Sequence, residues 1–237
     1  MAKRGKKYEE AAKLLDKTKV YHPQEAIELA KKMAHAKFDE TVELHLRMGV
    51  DPKDSTQQVR GVALLPHGLG KKMRILVFTE GEGERVAKAA GADSVGGDDM
   101  IKKIEDGWLD FDIAIATPEM MGKVSRLGKI LGRKGLMPNP KAGTVVAATN
   151  LPRAISDAQK GRVEFKLDRT AIIHVPVGKV SFEDDKLMNN LTAVVEAVVK
   201  AKPSGAKGQF IKTAALSTSM GAGIMLDLKP TLTLTSV

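Results

Sequence analysis

Residues 38–50 alternate with a period of two, placing Val42, Leu44, Leu46 and Met48 on one parity and Asp39, Thr41, Glu43, His45 and Arg47 on the other. A segment with that pattern folds as a strand buried on one side, because successive side chains leave a strand in opposite directions. It needs a core beneath its apolar row and leaves a row of donors and acceptors open on the other face. The plain reading of that open row is a half-solvated strand. The functional reading is a sheet surface that recognises a polar partner by hydrogen bonds. Two stretches nearer the C-terminus repeat the pattern and favour the second. Across 162–168, Val163, Phe165 and Leu167 alternate with Arg162, Glu164, Lys166 and Asp168; across 210–219, Thr213, Ala215, Ser217 and Ser219 share one face.

Between these stretches the texture changes. Residues 73–78 and 111–116 are near-continuous apolar runs, as in parallel strands covered on both faces, and Thr117-Pro118 stops the second. Helical patterns at 84–90, 100–106 and 151–160 and a short strand at Ser94-Val95 complete the alternation of a doubly wound α/β unit. Outside it, helices are predicted at 8–15, from Pro23 onward and at 184–200, the last with Leu187, Leu191, Val194, Val195 and Val198 on its buried side. Further strands are expected at 57–65, at 172–177 with an edge-type proline, Pro176, and at 224–228, which pairs back on 210–219. Pro66-His67-Gly68-Leu69-Gly70 breaks regular structure. The simplest architecture is therefore a sheet-and-helix domain, residues 1–68 and 161–237, interrupted by an inserted α/β domain, residues 69–160, with hinges at Gly68 and Gly161.

Charge narrows the partners. The 237 residues carry 38 Lys and Arg against 29 Asp and Glu, a net charge of +9, which favours a polyanion and most simply nucleic acid. Lys3, Arg4, Lys6 and Lys7 form a basic arm suited to phosphates. Without cysteine there is no thiolate metal site and no catalytic thiol, and no apolar run is long enough to span a membrane. A cytosolic protein is expected.

Catalytic chemistry finds little support. Gly81-Glu82-Gly83-Glu84-Arg85-Val86 has two glycines of a dinucleotide fingerprint, but Val86 replaces the third and acids stand where pyrophosphate would sit. The glycine-rich basic segment 128–143 fails the P-loop pattern, since Arg133 occupies a required glycine position. It reads either as a loop binding phosphate through backbone amides or as a structural loop needing positive φ. The five histidines are scattered, and His174, in an apolar strand, reads as a packed core residue. What survives is polar readout by a sheet. RNA offers phosphates, splayed bases and a 2′-hydroxyl that can donate to carboxylates and accept from hydroxyls. Thr41, Glu43, Thr213, Ser217 and Ser219 suit those contacts, Phe38 can pack on ribose or base, and Lys37, Lys166 and Arg162 would neutralise phosphates. Glu43 and Glu164 repel a phosphate backbone and so argue for specific contacts. Aromatic residues make up only 4%, too few for a single-strand stacking platform, so a folded RNA is the better target.

Five blocks then occur in order: Lys37-Phe38-Asp39-Glu40-Thr41-Val42-Glu43, Leu65-Pro66-His67-Gly68-Leu69-Gly70-Lys71, Gly107-Trp108-Leu109-Asp110-Phe111-Asp112, the run from Gly135-Leu136-Met137-Pro138-Asn139-Pro140 to Thr144, and Ser219-Met220-Gly221. Together they strongly resemble the family of bacterial large-subunit ribosomal protein one, the protein of the mobile stalk beside the tRNA exit site, over essentially the whole chain. The resemblance implies an α/β fold: a discontinuous α+β split-sheet domain, RRM-like or ferredoxin-like, with an inserted Rossmann-like three-layer domain that holds no nucleotide. It implies binding to the large-subunit rRNA stalk, assistance in releasing deacylated tRNA from the exit site, and translational repression through the operon's own mRNA. It further implies no enzyme activity, no cofactor and a monomer when free of the ribosome. The family's RNA contacts match Lys37, Phe38, Thr41 and Glu43, then Thr213 and the turn Ser219, Met220 and Gly221, with Lys166 and Asp168 carried over less directly. Ser219 stands where threonine is usual, Ala222 where proline is common, and Ala171 where glycine is frequent, which questions the turn between Asp168 and Ile172.

Overall fold

A computed structural model describes residues 5–206 and 208–233. The chain divides into two compact units, Met1–Gly70 with Val163–Val237 and Lys71–Arg162. In chain order the first unit opens with helices α1 (Lys6–Ala12) and α2 (Pro23–Met33) and strands β1 (Thr41–Met48) and β2 (Arg60–Leu64). The second holds β3 (Ile75–Phe78), α3 (Glu82–Ala89), β4 (Ser94–Gly96), α4 (Asp98–Glu105), β5 (Ile113–Ala116), α5 (Met121–Val124), α6 (Gly128–Lys134) and α7 (Leu151–Gln159). The chain then gives β6 (Arg162–Lys166), β7 (Ile172–Lys179), α8 (Asp184–Lys200), β8 (Ile211–Thr218), β9 (Ile224–Leu226) and α9 (Leu228–Leu232).

In the first unit an antiparallel sheet runs in the order β7-β1-β8-β9, so the alternating strand β1 is internal and Pro176 lies on an edge strand, where its missing N–H costs no ladder bond. The parity of β1 decides the layers. Val42, Leu44, Leu46 and Met48 are all buried and join Ala26, Ile27, Ala30 and Met33 of α2 and the apolar stripe of α8 in one core. The opposite parity stays open. Two helices thus cover one face of the sheet, and β2 pairs with β6 as a separate ribbon closed by Arg60 and Glu164, which removes Glu164 as an isolated carboxylate.

One expectation changes here. The strand predicted from Phe38 begins at Thr41, because Glu40 turns inward and its carboxylate bonds the turn before it. Gly68 sits at φ +64°, its carbonyl accepting from the Asn190 amide at 3.0 Å, two residues before the end of the first unit's N-terminal segment at Gly70. Gly161, with φ +102°, ends the turn after α7.

In the second unit β3 is central in a parallel sheet, β4-β3-β5, and all four of its residues are buried. Ile75, Val77 and Ile115 pack under Ala87 of α3 and Leu151, Ala154, Ile155 and Ala158 of α7; Leu76, Phe78, Ala114 and Ala116 face Ile101 and Ile104 of α4 and Leu131 of α6. Coverage of both faces is why these strands read as unbroken apolar runs. The segment 128–143 is part helix and part loop: its first half is helix α6, and the structural reading holds beyond it, with Gly135 at φ +71° ending the helix and Gly143 at φ +58°.

Asp112, just before β5, pins the start of this unit. Its carboxylate accepts from Lys71 Nζ at 2.7 Å, Arg74 Nε at 3.1 Å and the Arg74 N–H at 3.2 Å. Burial opposes its ionisation, but the Arg74 and Lys71 bonds outweigh it and hold the pKa down to about 2. A folded pKa below the unfolded value contributes stability that is complete above about pH 4 and is lost as pH falls toward 2. Asp112→Asn is expected to lower unfolding stability by roughly 2 kcal/mol at pH 7 and by almost nothing near pH 2. Urea unfolding followed by the single tryptophan, Trp108, checks this; a loss independent of pH would reject the charge-based account.

Candidate nucleic-acid interface

The open face of the first sheet is built from the outward parity of three strands. Glu43 lies between Pro176 of β7 and Ser217 of β8, His45 between His174 and Ala215, and Arg47 between Ile172 and Thr213. A bulge where β8 pairs with Arg47 and Met48 keeps Thr213 outward after Lys212. Of the expected contacts, Thr41, Glu43, Thr213 and Ser217 therefore belong to this face. Lys37 and Phe38 project from the turn before β1, with Phe38 59% exposed, and Ser219, Met220 and Gly221 form the turn after β8, with Met220 53% exposed.

Sequence distance hides what holds the two turns together. Glu40 is 1% exposed, yet its carboxylate accepts from the N–H groups of His35 (3.0 Å) and Ala36 (2.9 Å) on one oxygen and of Met220 (3.0 Å) on the other. Burial penalises its charge, but the adjacent Thr218 side chain and the N–H groups of Ala36, Met220 and His35 outweigh that and keep the pKa below the ordinary glutamate value. Beside it, the Thr41 N–H donates to Ser219 Oγ at 3.0 Å. Lys179, at the end of β7, donates to Thr41 Oγ1 at 2.8 Å and places a cation there. Neither Glu40 nor Lys179 was singled out from sequence. The signal for Glu40 was its parity: it stands in register with Val42 and Leu44, on the core-facing row.

His174 is corrected by the structure. It is half exposed and shares a ring–ring hydrogen bond of 2.8 Å with His45, whose other nitrogen lies 2.8 Å from Ser217 Oγ. Ile173, Val175 and Val177 take the inward row, so His174 is outward; its outward neighbours Ile172 and Pro176 disguised the alternation. Burial, then the neighbouring His174, push the His45 pKa down against the pull of Glu43, which favours a neutral ring.

Lys166 lies at the end of β6, and Asp168, just past it, reaches the rim of this face, its carboxylate 3.6 Å from His174 Nε2. Lys166 is exposed. Asp168 builds its own turn, accepting from the Thr170 N–H (2.8 Å), the Thr170 hydroxyl (2.6 Å) and the Ile172 N–H (2.7 Å). Those bonds, the Thr170 hydroxyl first, outweigh burial and hold its pKa down to about 2. They also hold Ala171 at φ +61°, a conformation costing an alanine roughly 1–2 kcal/mol, so the turn survives without glycine. Lys3 and Arg4 of the basic arm lie outside the described residues, while Lys6 and Lys7 begin α1.

In the second unit the ends of the parallel strands are unsuited to phosphate. Where the parallel strands end, Glu80 and Asp98 share Lys123, leaving an excess of negative charge. Gly83 is needed for packing, since a Cβ there would meet Thr79 Oγ1 at 2.1 Å. Among the described residues no three metal-ligating side chains gather, and no helix is long and apolar enough to cross a membrane.

Comparison with known proteins decides the family. The model of the Ribosomal protein L1p/L10e family matches residues 30–222, most of both units. The chain belongs to that family. Relatives from three strains of Dehalococcoides mccartyi, each described as "Large ribosomal subunit protein uL1", are 62% identical over 229 residues, covering 97% of this chain and 97% of each relative. Membership in the L1p/L10e family makes the chain a ribosomal, RNA-binding protein of translation and not an enzyme. The two-domain α/β fold is that of the family.

Proposed function

We propose that this chain is the rRNA-binding component of the large ribosomal subunit that grips the rRNA stalk beside the tRNA exit site, using the open sheet face and two joined turns of the first unit. The observation that carries the reading is the joining of the turns: Lys37 and Phe38 on one and Ser219, Met220 and Gly221 on the other are tied to a single carboxylate. Phe38 and Met220 supply exposed apolar surface for ribose or base, Lys37 and Lys179 meet phosphates, and Thr41, Glu43, Thr213 and Ser217 offer the acceptors and donors that a 2′-hydroxyl can match. Lys166 adds a peripheral phosphate contact, and Asp168 serves by shaping the 168–172 turn. The relatives' name places them in the large subunit, and the ribosome in the cytoplasm is the site of action.

Two further roles follow from the family resemblance: assisting release of deacylated tRNA, and repressing translation by binding the operon's own mRNA with the same face. The free protein acts as a monomer, with the connections between the two units serving as hinges. The deciding experiment is binding to the rRNA stalk fragment and to a scrambled RNA of equal length across a salt series. A preference of roughly a thousandfold that persists at physiological salt is expected. Equal affinities that collapse together with salt would mean that the net charge of +9 alone binds RNA, and would overturn the reading.

A further inference from the structure

We propose that Glu40 is the positioning residue of the RNA face: without touching RNA, its buried carboxylate locks the Lys37–Phe38 turn to the Ser219–Gly221 turn so that both meet the RNA already assembled. This rests on the RNA-binding reading above and adds a residue whose role is to organise the contacts.

The geometry is specific. A carboxylate in a core-facing register costs stability unless its lone pairs are filled, and here both oxygens are used. One takes the His35 and Ala36 N–H groups at 3.0 and 2.9 Å, the other the Met220 N–H at 3.0 Å, so one rigid group spans chain segments 180 positions apart. The main chain of Glu40 adds a third tie, its carbonyl accepting from the Val180 N–H at 2.9 Å. Phe38 and Met220, the exposed apolar groups of the two turns, each sit within two residues of a bond to this side chain or of the side chain itself. If the turns moved independently, RNA binding would have to order both; fixing them beforehand removes that cost.

The arrangement predicts an asymmetric response to Glu40→Gln. A glutamine amide keeps one acceptor oxygen and turns the other position into a donor. The oxygen satisfies the pair at His35 and Ala36, leaving an NH2 group against the Met220 N–H, donor to donor. Only the second turn is released. Two measurements are made on the full-length protein: affinity for the rRNA stalk fragment, and hydrogen exchange resolved at the amides of His35, Ala36 and Met220.

The expected result is affinity weakened roughly tenfold to a hundredfold, faster exchange at Met220, and retained protection at His35 and Ala36. Glu40→Ala should release both turns and bind no better. Unchanged affinity with a freely exchanging Met220 amide would overturn the proposal, since positioning would then not matter to binding. Continued protection of Met220 would overturn it too, as would exchange rising throughout β1 and α2, which marks a merely structural role. Met220→Asp separates this from the underlying reading: if that variant also binds normally, the face itself is misassigned.

Discussion

Met220→Asp is expected to lower affinity for the rRNA stalk fragment by roughly a hundredfold, about 2.7 kcal/mol, with the melting temperature nearly unchanged. The side chain is 53% exposed, and only its main chain is committed, through the N–H bonded to Glu40. An aspartate can therefore occupy the position without disturbing the core. At the interface it exchanges an apolar contact for a negative charge facing a polyanion, and like charges brought together at an interface cost several kcal/mol. Met220→Leu keeps the apolar surface and should lose less than about threefold, a small fraction of that energy. The pair of variants separates charge from shape, and titration of each against the same RNA at one salt concentration reads the difference. A folded Met220→Asp protein that binds as well as the parent would remove the turn after β8 from the interface.

That such a face exists was legible in the chain because period two is a strong signal wherever one side of a strand is buried. The parity of residues 42–48 set the inward and outward rows of β1 with no other information, and the near-continuous apolar run 73–78 announced a strand covered on both faces, observed at Ile75–Phe78. The helix at Asp184–Lys200 has the limits its apolar spacing predicts. Other features depend on partners far away in sequence. Glu40 falls on the core-facing row with Val42 and Leu44, and what a carboxylate does there stays hidden until the Met220 N–H is found against it. His174 looks internal until β7 is paired with β1 and His45 appears opposite. The segment 128–143 carries enough glycine to read as a loop, yet burial of Leu131 against the parallel sheet gives part of it a helical face. In each case a tertiary contact overrode a local preference.

The crossing near Gly68 shows the same override and leads to the largest stability effect. Asn190, in the middle of α8, is fully buried; its carbonyl accepts from the His67 N–H at 3.1 Å, and its amide donates to the carbonyls of Gly68 at 3.0 Å and Val177 at 2.8 Å. One side chain thereby ties the irregular 65–70 segment, the edge strand β7 and the longest helix. Replacing it with leucine, similar in volume, removes no packing but strands three main-chain groups, the Val177 carbonyl in the interior and the His67 N–H and Gly68 carbonyl at its half-buried edge. Each stranded group costs about 1–3 kcal/mol, so Asn190→Leu is expected to lose roughly 3–5 kcal/mol from the first unit. With a urea dependence of about 1–3 kcal/mol per molar, the unfolding midpoint of that unit should fall by roughly 2 M. The single tryptophan, Trp108, belongs to the second unit and supplies an internal control. Circular dichroism or tyrosine fluorescence from Tyr8 and Tyr21 should report the early transition, while the Trp108 signal holds near its parent midpoint. A shift below about 0.5 M would show that the 65–70 segment rearranges to satisfy its own groups, which would make it the pliant joint that its glycines first suggested.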